Sequence, residues 1–299
     1  MEKMNIFNQV NIETCSHCNR ECTTCLRQTV PDYRWDGNKK IKQYLDAELV
    51  YKVIDELEKM EHYVPICFNF FNEPLCDKRT PDFVKYANQK GFETYLNTNA
   101  DFLNRKKAKE LDGYLNSMKI ALYDLRGQPE RVDELWKRTE EIRSMFDETK
   151  LIFLNDKDHM ITHFSPHTKK LNDLIEQYKN APCTVECQWR IIISYTGEML
   201  LCCEDIGGNW KLGNIREKTL QYLWFSDRHQ DIVRTLSRKN GRANYPYCRC
   251  CPRSTGENPK PTGIKYSGKI KYLFNNKKKT VRSKIKKILQ GVGVNAYFS

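Results

Sequence analysis

Three cysteines, Cys18, Cys22 and Cys25, fall within eight residues as CxxxCxxC, directly after a short run with apolar residues at Val10 and Ile12. Thiolates are soft ligands that suit iron–sulfur clusters and zinc. So tight a run cannot be a disulfide framework in a chain of this size, and a metal site is the first reading. Three ligands on a four-iron cluster leave one iron open to another molecule, as a catalytic cluster requires. Cys15 stands three positions before Cys18, so the stretch also reads as two CxxC pairs, a closed zinc site. Only three residues separate those pairs, which is far fewer than common zinc folds use.

A second constellation runs from Cys183 to Cys251. Cys187 is followed by nine residues, Gly197, four residues and Cys202, and the chain later supplies Cys248 and Cys251 as CxxC. The β-rich runs Ile191 to Ile193 and Met199 to Cys202 flank a Tyr-Thr-Gly-Glu turn, and so predict a hairpin that brings Cys187 and Cys202 together. The later CxxC would complete four thiolates, a closed site unlike the first. A zinc ribbon or inert buried cysteines are the other readings of this half.

Thirteen cysteines in 299 residues gather in clusters rather than spreading as bridges would. With no N-terminal apolar leader and no bilayer-length apolar run, a cytoplasmic, reduced, metal-binding protein is expected. The net charge of +12 is local. Eleven basic residues and one acid (Glu257) lie from Gly256 onward, leaving the body near +2. Within that tail Val281, Ile285, Ile288 and Leu289 make a short apolar stripe beside Arg282, Lys284, Lys286 and Lys287. It can lie on an anionic membrane surface or on nucleic acid, but a solvated or loosely docked helix is the preferred account, since about ten residues are marginal alone.

The elements that must position the first three cysteines alternate in type. Strands are expected at Phe7–Ile12, Pro65–Phe71, Phe92–Leu96, Met118–Tyr123 and Leu151–Leu154. Helices are expected at Asp46–Met60, Pro81–Lys90, Asn104–Leu111 and Pro129–Met145. This is α/β patterning with parallel pairing, five units of a barrel rather than a closed eight. Chemistry in such folds sits at the carboxyl ends of the strands. The cysteine loop follows the first strand, Asn72-Glu73-Pro74 the second, and Thr98-Asn99 the third, so all three belong on one rim. Taken alone, the last two are better read as ordinary turn chemistry.

CxxxCxxC after the first strand, a Glu-Pro turn after the second and a Thr-Asn turn after the third together resemble the radical S-adenosylmethionine (SAM) superfamily. The resemblance implies a partial (β/α) barrel in which Cys18, Cys22 and Cys25 hold a [4Fe–4S] cluster whose open iron binds SAM. It implies reductive cleavage of SAM to a 5′-deoxyadenosyl radical that takes a hydrogen from substrate, with an electron donor such as flavodoxin or ferredoxin. Asn72, Glu73, Pro74, Thr98 and Asn99 match the cofactor-binding turns, with Glu73 matching the contact to the methionine amino group. Asn72 and Ala100 replace glycines of that pattern, Thr24 replaces an aromatic or apolar residue, and Ala121 stands about where a serine is common.

The second set, with Cys203-Glu204-Asp205, Leu212 to Ile215, Trp224 and the final CxxC, resembles the SPASM or shorter twitch extension, which binds auxiliary four-iron clusters. No cysteine follows Cys251, so one auxiliary cluster is expected, held by Cys202, Cys248 and Cys251 with Cys187 or Cys183. Cys67, Cys76, Cys203 and Cys250 are spare. The expected organisation is a barrel over 1–165, a linking helix over 166–182, a small cysteine-rich hairpin/helix domain over 183–255 and a basic tail over 256–299.

The resemblance implies oxidation or epimerisation of a sugar-like metabolite, as in sugar and aminocyclitol dehydrogenases of this family. A peptide- or protein-modifying maturase is the alternative, disfavoured by the fourteen residues before Cys15. A non-catalytic zinc or nucleic-acid-binding protein is the second. His159, His163 and His167 recur every four residues, though Pro166 interrupts them and spacing alone is a weak metal signal. Arg126, after the fourth strand, is either a contact for a substrate anion or a surface arginine.

Overall fold

A computed structural model describes residues 7–22, 25, 27, 42–122, 131–154, 180, 183, 189–205, 207–208, 210–245 and 248–251. Cys187, Arg126, the three spaced histidines, nearly all of the 166–182 segment and the basic tail lie outside these residues.

The barrel half follows the expected alternation: β1 (Gln9–Ile12), α1 (Ala47–Lys59), β2 (Ile66–Cys67), α2 (Thr80–Gln89), β3 (Thr94–Thr98), α3 (Arg105–Leu111), β4 (Ser117–Ile120), α4 (Val132–Arg143) and β5 (Lys150–Phe153). Helix α1 forms because Leu49, Val50, Val53, Ile54 and Leu57 recur at helical spacing, and all five are buried. Pro81 sits in the first turn of α2, where its missing N–H costs nothing. Asn104 caps α3, its side chain accepting from the Lys107 N–H at 3.0 Å.

β6 (Arg190–Ile193), β7 (Glu198–Leu200) and β8 (Lys211–Asn214) follow, then α5 (Leu220–Trp224) and α6 (Asp227–Leu236). The eight strands make one sheet in the order β5-β4-β3-β2-β1-β6-β7-β8. β1 to β5 are parallel, and β6 joins them as a sixth parallel strand, running from Gln9 opposite Arg190 to Ile12 opposite Ile193. β6 and β7 then turn back as the expected hairpin, with Ile193 opposite Met199. The hairpin assigned by sequence to a separate unit is therefore hydrogen-bonded into the barrel sheet. Short strands of small separation cannot declare which edge they will join; burial decides it. Ile191 and Ile193 are fully buried with Val10 and Ile12 in one continuous core, which α1, Phe68, Phe83, Leu223 and Trp224 complete.

Gly197 closes the hairpin at φ +82°, a backbone conformation that disfavours any side chain, and a Cβ there would meet Asn214 Oδ1 at 2.9 Å. Trp224 is 1% exposed and packs edge-on to Phe7, at 5.2 Å, and to His229, at 4.6 Å. That contact seats the C-terminal helices against the first residues of the barrel.

Candidate functional site

The carboxyl ends of β1, β2 and β3 meet at Glu73. Its backbone N–H donates to the His17 carbonyl at 3.1 Å, tying the turn after β2 to the cysteine loop. Its side chain is buried, and Oε1 accepts from the Leu75 N–H at 3.0 Å and from the Thr98 hydroxyl at 2.6 Å. Oε2 accepts from the Asn99 N–H at 2.8 Å. Burial pushes the Glu73 carboxyl above its ordinary range, and these three donors pull the other way. A carboxylate offers about four acceptor positions. Three are taken by described residues, so Oε2 keeps room for one further donor.

Asn99 links this carboxylate to the thiols. Its Nδ2 lies 3.7 Å from Cys18 Sγ and 2.9 Å from Asn19 Oδ1. The Arg20 N–H also approaches Cys18 Sγ, at 3.5 Å, and burial raises that thiol's pKa. The Cys25 N–H donates to the Cys22 carbonyl at 2.9 Å, folding the second half of the motif into a turn. Cys18, Cys22 and Cys25 are partly exposed, whereas Cys15 is fully buried. Burial pushes the Cys15 thiol up to about 12, and it sits against the His17 and Glu73 carbonyls and the Asn72 amide. A thiol so placed resists ionising.

The departures from the resemblance have local explanations. Asn72 has no need of glycine's freedom, since its φ is negative; its Oδ1 accepts from the Phe70 N–H at 2.9 Å and its Nδ2 reaches Cys15. Ala100 does occupy the left-handed region, at φ 62°. Its N–H donates to Thr98 Oγ1 at 3.0 Å and its carbonyl accepts from Arg138 Nη2 at 2.8 Å, which hold the strained residue in place. Ala121 lies just past β4, its N–H donating to the Thr98 carbonyl at 2.9 Å.

Sequence reasoning missed Asp101. It grips the cysteine loop through Arg20, which donates with Nε at 2.6 Å and with Nη2, and through Asn19 Nδ2 at 2.6 Å. Burial would raise the Asp101 carboxyl, but these donors hold it below its ordinary value. A basic residue between the first two cysteines was the available signal; its partner lies 81 positions away in sequence.

The second constellation also assembles. The Cys183 N–H donates to the Leu236 carbonyl at 2.6 Å, Cys202 follows β7, and Cys248 and Cys251 lie on a tight turn in which the Cys251 N–H meets the Cys248 carbonyl at 3.1 Å. Burial, and then the mutual repulsion of these thiols and Asp205, pushes Cys202 and Cys248 well above the ordinary thiol value. Cys202 feels its neighbour Cys203 first and then Cys248 and Cys183; Cys248 feels Cys183 and Cys251. Buried Arg242 opposes this at Cys248 and donates to the Cys251 carbonyl. Crowding four half-buried thiols is unfavourable unless a cationic metal centre takes the sulfurs as thiolates, so the donor set fits an iron–sulfur group. No described trio of His, Cys, Asp or Glu side chains is drawn to single-ion spacing, and a cluster seats each thiolate on its own iron. Cys203 instead packs with Ile192, Leu200 and Phe70, and Cys67 is buried within the sheet.

Residues 183–252 match SPASM, an iron–sulfur cluster-binding domain. The chain is 22% identical over 249 residues to the S-adenosyl-L-methionine-dependent 2-deoxy-scyllo-inosamine dehydrogenase of Niallia circulans, spanning 82% of this chain and 93% of that protein. A shorter stretch of 100 residues is 30% identical to the tungsten-containing aldehyde ferredoxin oxidoreductase cofactor-modifying protein of Pyrococcus furiosus, covering 33% of this chain and 26% of that one. Among solved structures the fold resembles BtrN in complex with AdoMet and 2-DOIA, with TM-score 0.62 at 20% identity over 83% of this chain and 94% of that one. It also resembles native anSMEcpe with bound AdoMet, with TM-score 0.51 at 14% identity over 94% and 99%. The chain shares the fold of these two proteins, and its residues 183–252 carry the SPASM match. The barrel rim and the thiols of the SPASM-matching segment are two separate sites, joined by the strand pair β1 and β6.

Proposed function

We propose that the protein is a radical SAM enzyme that oxidises a sugar-like metabolite, removing hydrogen from a carbon that bears a hydroxyl. In this reading Cys18, Cys22 and Cys25 hold a [4Fe–4S] cluster with one open iron, and Cys183, Cys202, Cys248 and Cys251 hold an auxiliary [4Fe–4S] cluster. Bound there, the first cluster with SAM would supply hydrogen-atom abstraction from carbon, and the auxiliary cluster would accept the remaining electron as the hydroxyl proton leaves to solvent or a base. The protein's own residues bind and orient. Glu73 Oε2 would accept from the methionine ammonium at its remaining position, while Thr98 and the Asn99 N–H fix that carboxylate's direction and Asn99 Nδ2 steadies Cys18.

The observation that carries this reading is the convergence of the Glu73 carboxylate, the Thr98-Asn99 turn and Cys18 on one rim, from three different strands. The likeness to a SAM-dependent cyclitol dehydrogenase over most of both chains supports oxidation of a small sugar-like molecule. An external donor such as flavodoxin or ferredoxin supplies the cleaving electron, in the cytoplasm; among the described residues no helix is long and apolar enough to cross a membrane.

The test is anaerobic purification with iron, sulfide and zinc measured, followed by reductant-dependent conversion of SAM to 5′-deoxyadenosine. Iron and sulfide near eight each per chain are expected, on the order of two four-iron clusters, with cleavage abolished in Cys22→Ala. Zinc without iron, or cleavage unchanged in that variant, would refute the assignment.

A further inference from the structure

Beside the second set of thiols the fold buries a full positive charge. Arg242 lies in the turn Gly241–Asn244 after α6 and is 1% exposed. A guanidinium stays protonated throughout the range in which proteins fold, so burial cannot neutralise it as it would a lysine or a carboxylate. Such a charge is strongly disfavoured away from water unless an anion answers it.

Among the described residues no carboxylate does. Arg242 Nη1 donates to the Cys251 carbonyl, Nε is buried without an acceptor, and the residue forms no ion pair. Arg20 and Arg79, which are more exposed, each have one, with Asp101 and Asp77.

What surrounds Arg242 is sulfur. Burial raises the Cys248 thiol, and the Arg242 charge opposes that rise; the carbonyl that Arg242 holds belongs to Cys251. Tyr245 fixes the spacing, since its N–H donates to the Arg242 carbonyl at 2.9 Å and its own carbonyl accepts from the Cys248 N–H at 2.9 Å. A second buried N–H without an acceptor, Trp210 Nε1, belongs to a ring packed on Tyr245 at 4.9 Å. The Trp210 carbonyl accepts from the Leu201 N–H at 3.0 Å, next to Cys202. As neutral thiols the cysteines offer these donors no anion. As thiolates on a four-iron core they form an anionic centre whose sulfurs accept N–H bonds. Buried Asp205 adds to the negative charge at Cys202 and Cys248.

We propose that Arg242 is the buried counter-charge of the auxiliary cluster and raises its reduction potential. The sign follows from charge alone. Reduction adds a negative charge to a centre already anionic, and a fixed cation beside it stabilises the reduced form more than the oxidised one. Arg242 acts through its field and meets no substrate. The inference rests on the auxiliary-cluster assignment and deepens it, because a raised potential suits a centre that accepts an electron from substrate.

The test is a redox titration followed by electron paramagnetic resonance, on the full chain carrying Cys18→Ala/Cys22→Ala/Cys25→Ala. Only the auxiliary cluster then gives a signal, after anaerobic reconstitution to about four iron per chain. In that background Arg242→Gln, which keeps an N–H₂ for the Cys251 carbonyl, should lower the midpoint by a tenfold or larger change in the reduction equilibrium, about 59 mV for one electron. Arg242→Lys, which keeps the charge, should move it by less than half as much. The difference should persist in about 1 M salt, where exposed charges are screened. An unchanged midpoint in Arg242→Gln at full iron, equal drops in the two variants, or a difference abolished by salt would each overturn the proposal. If Arg242→Gln takes up no iron, Arg242→Lys decides: iron retained at a near-parental midpoint upholds the counter-charge, and no iron in either variant makes Arg242 a packing residue and overturns it. A triple-alanine parent that holds zinc or no iron refutes the cluster assignment beneath the inference instead.

Discussion

Gly241→Ala should remove the auxiliary cluster and leave the rim cluster in place. Gly241 opens the turn after α6, and a Cβ built there falls 1.7 Å from the Thr235 carbonyl oxygen, 2.6 Å from its carbon and 3.2 Å from Leu236 Cα. These are backbone atoms of the last turn of α6, so no rotamer change relieves the overlap; restoring van der Waals distance requires a shift of roughly 1.5 Å or more. Overpacking of this kind costs on the order of 3 kcal/mol when backbone must yield. The shift has a definite target. The segment that begins at Gly241 ends on Cys248 and Cys251, and the Leu236 carbonyl beside the clash receives the Cys183 N–H. Three of the four thiols are therefore displaced relative to Cys202. Iron per chain, measured after anaerobic reconstitution, should fall from about eight to about four, with SAM cleavage in the absence of substrate retained. Gly208→Ala is the matched control: φ is +63° there and the nearest contact is Leu200 Cδ2 at 3.8 Å. It should cost about 1 kcal/mol from backbone strain alone and keep all the iron. Full iron and a parental melting temperature in Gly241→Ala would refute the reasoning.

Glu73→Gln keeps the side chain's shape but places an N–H₂ where the Asn99 N–H or the Thr98 hydroxyl now donates, so SAM affinity by calorimetry should fall at least tenfold, about 1.5–3 kcal/mol, with iron content unchanged. Ala100→Gly should stabilise the fold by about 0.5–1 kcal/mol, because it relieves the left-handed strain at φ 62° at some cost in unfolded-state entropy; a lower urea midpoint would count against that account. His62 packs edge-on to Phe7 at 4.7 Å and donates from Nε2 to the Phe7 carbonyl at 2.6 Å. Burial lowers its pKa to about 4, against the opposing pull of that carbonyl. Since the folded value lies below the unfolded one of about 6.5, its contribution is complete above pH 6.5 and is lost as pH falls through 4, up to about 3 kcal/mol. Urea midpoints of the parent and His62→Gln should converge across that window, and parallel curves would exclude His62 as the source.

What the sequence determined by itself was everything carried by local pattern. Helical spacing from Leu49 to Leu57, the apolar strand cores and the three turns after β1, β2 and β3 placed the barrel elements to within a few residues. Cysteine spacing marked the Cys18–Cys25 run and the Cys248–Cys251 pair as candidate ligands, because ligand geometry is written over short intervals. The tertiary structure decided what depends on distant segments meeting. β6 was legible as a strand, but its parallel seat beside β1 follows from burying Ile191 and Ile193 with Val10 and Ile12. Asp101 reads as an ordinary turn aspartate until the fold sets it against Arg20, and Cys183 joins Cys202 only once α6 and the Gly241 turn have closed. Arg242 likewise reads as one more basic residue of a basic chain. Closing that turn buries it beside Cys248 and Cys251, and a charge taken out of water acts on its neighbours far more strongly than one left in it.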